Sequence, residues 1–84
     1  MSESTKVLAA IPGMFYRKPS PEEDVYLNEG DKVEVGDIIG LIEVMKTFYE
    51  IKAEKAGILE SFLTEHETMV DAGQELAILT EQSE

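Results

Sequence analysis

Two stretches decide the fold: "VEVGDIIGLIEV", residues 33–44, and "VDAGQELAILTE", residues 70–81. Under a shift of 37 positions Val33 falls on Val70, Glu34 on Asp71, Val35 on Ala72 and Gly36 on Gly73. Ile39 then falls on Leu76, Leu41 on Ile78 and Ile42 on Leu79. Earlier in the chain a shift of 44 positions works instead, bringing Val7 onto Ile51, Ala9 onto Ala53 and Gly13 onto Gly57. Glycines and apolar positions match together across both segments, which reads as an internal repeat. The difference of seven (44 − 37 = 7) requires an insertion in the first half, between Gly13 and Val33. "RKPSPEED", residues 17–24, is its natural home, because two prolines flanking a serine cannot join a regular ladder. The chain therefore reads as two similar halves, roughly 7–43 and 51–80. Neither half can bury its own apolar face, so the two are expected to pack about a pseudo-twofold axis.

Within each half the local signals favour strands. "IIGLIEV", 38–44, is a short apolar run rich in β-branched residues and interrupted by Gly40. Periodicity alone leaves helix open over 38–49, but length, Gly40 and the β-branched content favour a strand. "FYEIKAE", 48–54, alternates, with Ile51 and Ala53 on one face and Lys52 and Glu54 on the other. "GILESFL" and "LAILT" have strand length as well. Short strands separated by turn signals predict an all-β sandwich or barrel. The ends, 1–5 and 81–84, are expected to be frayed tails.

The composition sets limits on function. At 84 residues the chain is one small domain with a modest core. It has no cysteine and a single histidine, His66, so neither a disulfide nor a zinc site is expected. Such usage is compatible with the cytoplasm. The net charge of −11, from 18 acidic and 7 basic residues, repels nucleic acid and anionic membranes. No apolar run approaches the roughly 20 residues of a membrane span, and the N-terminal stretch is a poor signal peptide. No nucleophile–base pair and no metal constellation is visible, so no catalytic residue and no metal ligand is expected. His66 in "TEHET" is expected to lie exposed in a turn, and Glu43 and Glu50 read as solvated strand ends.

The chemistry gathers in "IEVMKTFYE", residues 42–50, at the junction of the halves. A lysine buried in a strand would leave an unpaired ammonium out of water, at a cost of about several kcal/mol. If both flanking strands belong to the sandwich, Met45-Lys46 is the centre of a tight turn and Lys46 stands at an exposed hairpin tip. Tight two-residue hairpins favour Asn-Gly or Asp-Gly, because the central residues need positive φ. Met-Lys is a poor choice there, and a locally unfavourable turn points to a side chain retained for function.

These residues resemble a known family. "EVMKT" is similar to the Glu-Ala-Met-Lys-Met signature of biotinyl domains, the biotin/lipoyl attachment domains of biotin carboxyl carrier proteins. "IPGMFYRKPSPEEDVYLNEGDKVEVGD" resembles the family's Pro-x-x-Gly-x-Phe-Tyr opening and its Pro-Ser-Pro thumb, and "MVDAGQELAIL" its last strands. The thumb makes the chain most like the carrier subunit of bacterial acetyl-CoA carboxylase. Val44 stands where the family usually has alanine, Thr47 where it has methionine, and "AAIPG" where Ser-Pro-Met-x-Gly is common. The long N-terminal segment and Ala/Pro-rich linker of full-length carriers are not in the sequence, which leaves room for a stand-alone accessory carrier or a different acyl substrate.

The resemblance implies a flattened β-barrel of two four-stranded sheets with pseudo-twofold symmetry. It implies that a biotin protein ligase attaches biotin covalently to Lys46, and that Met45, Thr47, Val44 and Glu43 help the ligase recognise the turn. It places Pro19, Ser20 and Pro21 of the thumb near the biotin. The implied role is a non-catalytic carrier, moving biotin and carboxybiotin between a biotin carboxylase subunit and carboxyltransferase subunits in malonyl-CoA formation for fatty acid synthesis. Three alternatives remain. The chain could serve another biotin-dependent carboxylase. It could be a lipoyl carrier of a 2-oxo acid dehydrogenase complex, whose lysine usually follows Asp and which lacks the thumb. It could also be an unmodified interaction module on the same sandwich.

Overall fold

The computed structural model describes residues 2–82 and contains strands and turns without a helix. Eight strands follow one another: β1 (Ser2–Leu8), β2 (Gly13–Tyr16), β3 (Lys32–Val33), β4 (Ile38–Val44), β5 (Thr47–Lys52), β6 (Gly57–Phe62), β7 (Thr68–Val70) and β8 (Glu75–Gln82). They form two four-stranded antiparallel sheets, ordered β1-β8-β6-β3 and β5-β4-β2-β7. The strands expected at 38–44, 48–54, 57–63 and 76–80 are present with ends moved by a residue or two.

The pseudo-twofold is visible in the strand order. Exchanging β1 with β5, β2 with β6, β3 with β7 and β4 with β8 turns one sheet into the other. Each sheet draws two strands from each half of the chain, and this interleaving is why neither half can close a core alone. Individual hydrogen bonds repeat as well. The Gly36 N–H donates to the Ala53 carbonyl at 2.9 Å, and the Gly73 N–H donates to the Ala9 carbonyl at 2.7 Å. The Ala53 N–H in turn donates to the Asp37 carbonyl and the Ala9 N–H to that of Gln74, both at 2.9 Å. Gly36 and Gly73 sit at φ 93° and 86°, a region that a residue with a Cβ rarely enters. This turn requirement fixes the two glycines that anchor the sequence repeat.

The core lies between the sheets in two groups. One contains Val33, Ile39, Ala53, Leu59, Ala77 and Leu79, and the other Ala9, Phe15, Ile42, Val70 and Leu76. The matched apolar positions of the repeat supply most of both. Half-buried Ile51 and Phe62 pack against both groups and join them. The molecule is thin, 43 × 27 × 19 Å. The sheets do not join into a closed barrel, because β1 and β5 keep free edges, so the architecture is the flattened sandwich.

The expected frayed tails are corrected in part. Ser2 to Thr5 pair with Gln82 to Leu79, so β1 and β8 include them. Backbone pairing along the edge of the sheet orders a polar stretch that composition alone reads as solvated. Met1, Ser83 and Glu84 lie outside the described residues.

Candidate functional site

β4 and β5 form the hairpin that carries the lysine. Their register runs from Ile38 opposite Lys52 to Val44 opposite Thr47, leaving Met45 and Lys46 as a two-residue turn. Met45 has φ 48° and Lys46 φ 68°. Both are left-handed, as a primed hairpin turn demands, at a cost of roughly 1–2 kcal/mol for each residue with a Cβ. Met45 is 92% exposed and so gains almost nothing from packing in return. Lys46 is exposed and makes no ion pair among the described residues. A primary amine stands at the apex of a hairpin whose stem is anchored in the core through Ile42 and, less deeply, Val44.

The other predicted site residues divide by face. Val44 turns inward and packs on the core group of Phe15 and Ile42, while Thr47 opposite it is exposed. Glu43 and Phe48 pair across the hairpin one level below the tip, with Met14 and Met69 following in the same row on β2 and β7. Glu43 is half-buried, and one carboxylate oxygen accepts a hydrogen bond from the Tyr16 hydroxyl at 3.1 Å. It is therefore not the solvated strand end expected, because β2 brings a phenol alongside it. Glu50 is exposed and pairs with Lys52 at 3.5 Å.

The insertion is tied down at its base. The Arg17 guanidinium lies 3.7 Å above the Phe62 ring and donates to the Leu27 carbonyl at 3.4 Å. The Tyr26 N–H donates to the Arg17 carbonyl at 3.0 Å and closes the loop on itself. Near the tip, Ser20 donates to Glu23 at 3.0 Å; Pro19 and Ser20 are half-buried and Pro21 is exposed. Burial pushes the Tyr26 phenol up, and the charges of Glu50 and Glu23 push it further. Leu41 is buried yet belongs to neither core group. It alternates with Ile42 and so faces outward beside Tyr16 and Glu50.

His66 departs from expectation. Its side chain is only 27% exposed, and its Nδ1 accepts the Arg17 N–H at 2.9 Å. Its Nε2 lies 3.1 Å from Glu67, and its ring meets Tyr16 edge-on at 5.7 Å between centroids. The cause is tertiary: β7 lies beside β2, so the preceding turn closes on the base of the insertion. The repeat carried the signal, since the 37-residue shift places His66 on Glu29, whose carboxylate caps the Phe62 N–H at 2.9 Å. Tyr16 is the residue that sequence reasoning passed over. The alternation in "GMFY" buries Phe15 and turns Tyr16 to the outer face, beneath the hairpin residues.

A family profile described as biotin-requiring enzyme, the biotin/lipoyl attachment domain, matches residues 5–79. The chain belongs to this family. Its covalent cofactor is biotin, and the unpaired, accessible amine of Lys46 suits an amide bond to a carboxylic acid cofactor. The biotin carboxyl carrier protein of acetyl-CoA carboxylase from Haemophilus influenzae is 34% identical over 73 residues, covering 87% of this chain and 47% of that protein. Its counterpart from Pseudomonas aeruginosa is 37% identical over 70 residues, covering 83% of this chain and 45% of that protein. The chain thus spans about half the length of these relatives. Among solved structures, the Kluyveromyces lactis urea carboxylase superposes with a TM-score of 0.74 at 28% identity, covering 92% of this chain and 6% of that protein. A single-chain, multi-domain long-chain acyl-CoA carboxylase shares the fold, with a TM-score of 0.79 at 19% identity over 94% of this chain and 7% of that one.

Proposed function

We propose that the chain is the biotinyl domain of a biotin carboxyl carrier protein, serving acetyl-CoA carboxylase in the cytoplasm. The observation that carries the reading is Lys46, exposed at the apex of a two-residue hairpin with a left-handed backbone at Met45 and Lys46, in a chain of this family. In this reading the domain holds and presents its cofactor and performs no chemistry itself. A biotin protein ligase reads Met45, Thr47 and Glu43 around the tip, with Val44 holding the stem. Exposure lets the ligase remove the proton of Lys46 Nζ. The Nζ lone pair then attacks the acyl carbon of biotinyl-adenylate, an amide bond forms, and AMP leaves as the acyl–oxygen bond breaks. When bound, biotin supplies a site that accepts and releases a carboxyl group. The partners are then a biotin carboxylase subunit and carboxyltransferase subunits, and the product feeds fatty acid synthesis. Tethering holds the cofactor at high effective concentration in both active sites. In this reading the thumb, with Pro19, Ser20 and Pro21, lies near the attached biotin, as the likeness to the family's Pro-Ser-Pro insertion implies.

Intact-mass spectrometry after co-expression with a biotin protein ligase, followed by peptide mapping, tests this reading. One biotinyl group on Lys46 is the expected result. An unmodified chain that then accepts lipoate from a lipoyl ligase would transfer it to the lipoyl carriers.

A further inference from the structure

Tyr16 has no place in the reading above, yet three groups converge on it. Its hydroxyl donates to Glu43 at 3.1 Å. Its ring lies 6.3 Å from that of Phe48 on the hairpin and 5.7 Å, edge-on, from His66. His66 is itself held by the Arg17 N–H on one nitrogen and by Glu67 on the other. The phenol is therefore aimed, because aromatic contacts on both sides fix its ring while the imidazole behind it is anchored to the base of the insertion. Tyr16 lies one row below Glu43, opposite Leu41, and reaches it on the diagonal between β2 and β4. The bond to Glu43 also raises the phenol pKa, with burial and the Glu43 and Glu67 charges adding to it, so the hydroxyl remains a donor.

The consequence falls on Glu43, three residues before Lys46. A free glutamate samples several rotamers, and a docking enzyme must freeze them. Here Tyr16 occupies one oxygen of Glu43 and leaves the other to face a partner. We infer that Tyr16 is a positioning residue for modification of Lys46: it fixes the Glu43 carboxylate beside the hairpin so that a basic side chain of the modifying enzyme meets it in a single orientation. This rests on the biotin-carrier reading. It adds a residue outside the hairpin to the recognition surface, and it requires that the phenol act only through Glu43.

The test is steady-state kinetics of the biotin protein ligase on the full chain, with wild type, Tyr16→Phe, Glu43→Ala and the double variant, each checked for cooperative unfolding. Tyr16→Phe removes one hydroxyl and keeps the ring between Phe48 and His66. The expected result is a KM for the carrier raised about three- to tenfold, the net scale of one ordinary hydrogen bond, since the phenol acts only by holding Glu43 in place, with kcat within about twofold. The double variant should equal Glu43→Ala alone, because without the carboxylate the hydroxyl has nothing to hold. An unchanged KM for Tyr16→Phe, or an equal loss in the Glu43→Ala background, would overturn the inference. A purely structural role predicts that second pattern. Wild type that the ligase does not modify at all would instead sink the carrier reading itself.

Discussion

Replacing Met45 with glycine should move stability and modification in opposite directions. Met45 holds φ 48° and is 92% exposed, so the folded state bears the left-handed conformation with almost no packing in compensation. Glycine removes the steric cost of roughly 1–2 kcal/mol. It adds roughly 0.5–1 kcal/mol through the greater freedom of the unfolded chain. The difference favours Met45→Gly by about 0.5–1 kcal/mol. For a domain of this size about 1 kcal/mol corresponds to roughly 4–8 °C in Tm, so a rise of about 2–8 °C is expected by calorimetry or circular dichroism. The same variant keeps Lys46 but loses the exposed thioether beside it, and ligase-catalysed biotinylation should slow, chiefly through KM. A Tm unchanged or lowered in Met45→Gly would refute the claim that the tip stores strain. A higher Tm with undiminished biotinylation would leave the strain in place but refute its functional explanation.

Lys46→Arg should abolish modification while leaving the unfolding transition within about 0.5 kcal/mol of wild type, as expected for an exposed surface position; intact mass and a urea titration check the two halves. Phe15 is fully buried at the centre of one core group, so Phe15→Ala should cost about 3–5 kcal/mol, read as a lower urea midpoint. Ultraviolet titration should show the Tyr16 and Tyr26 phenols ionising above the ordinary value of 10.0. Because the folded phenol pKa is raised, the stabilisation it reports is complete below that value and is lost as the pH rises through the folded pKa. Tyr16→Phe should therefore flatten the alkaline loss of stability. Deleting residues 18–25 should leave a cooperatively unfolding sandwich, because none of them belongs to a strand or to either core group.

How far the sequence reached depends on which forces act locally. The repeat was legible because a turn with positive φ forces glycine at 36 and 73, and because the sandwich interior forces apolar residues at matched positions such as Ile39 and Leu76. The strained tip was legible for the opposite reason, since Met-Lys stands where a hairpin asks for Asn-Gly. Strand β1 was only half legible, because Ser2 to Thr5 carry no apolar pattern and are ordered by pairing with β8. His66 and Glu43 were misread for a related reason. Both are polar residues whose burial depends on the β2 strand between them, and no local pattern encodes the contacts of Tyr16 and Arg17 with them.

The same distinction separates the scaffold from the site. Residues that build the sandwich obey periodicity, and one shift of the sequence finds them. Lys46 and the groups around it violate local rules: a lysine in an apolar run, non-glycine residues at positive φ, a half-buried glutamate and an insertion with two prolines. All lie on or beside one sheet, β5-β4-β2-β7, although the pseudo-twofold offers an equivalent surface on the other. At the opposite pole the corresponding pair is β8 with β1, whose paired ends are Gln82 and Ser2 and are not joined by a turn among the described residues. The symmetry therefore supplies the frame twice, and among the described residues it is the β4–β5 pole that has a continuous turn on which a lysine can be held away from the body and presented.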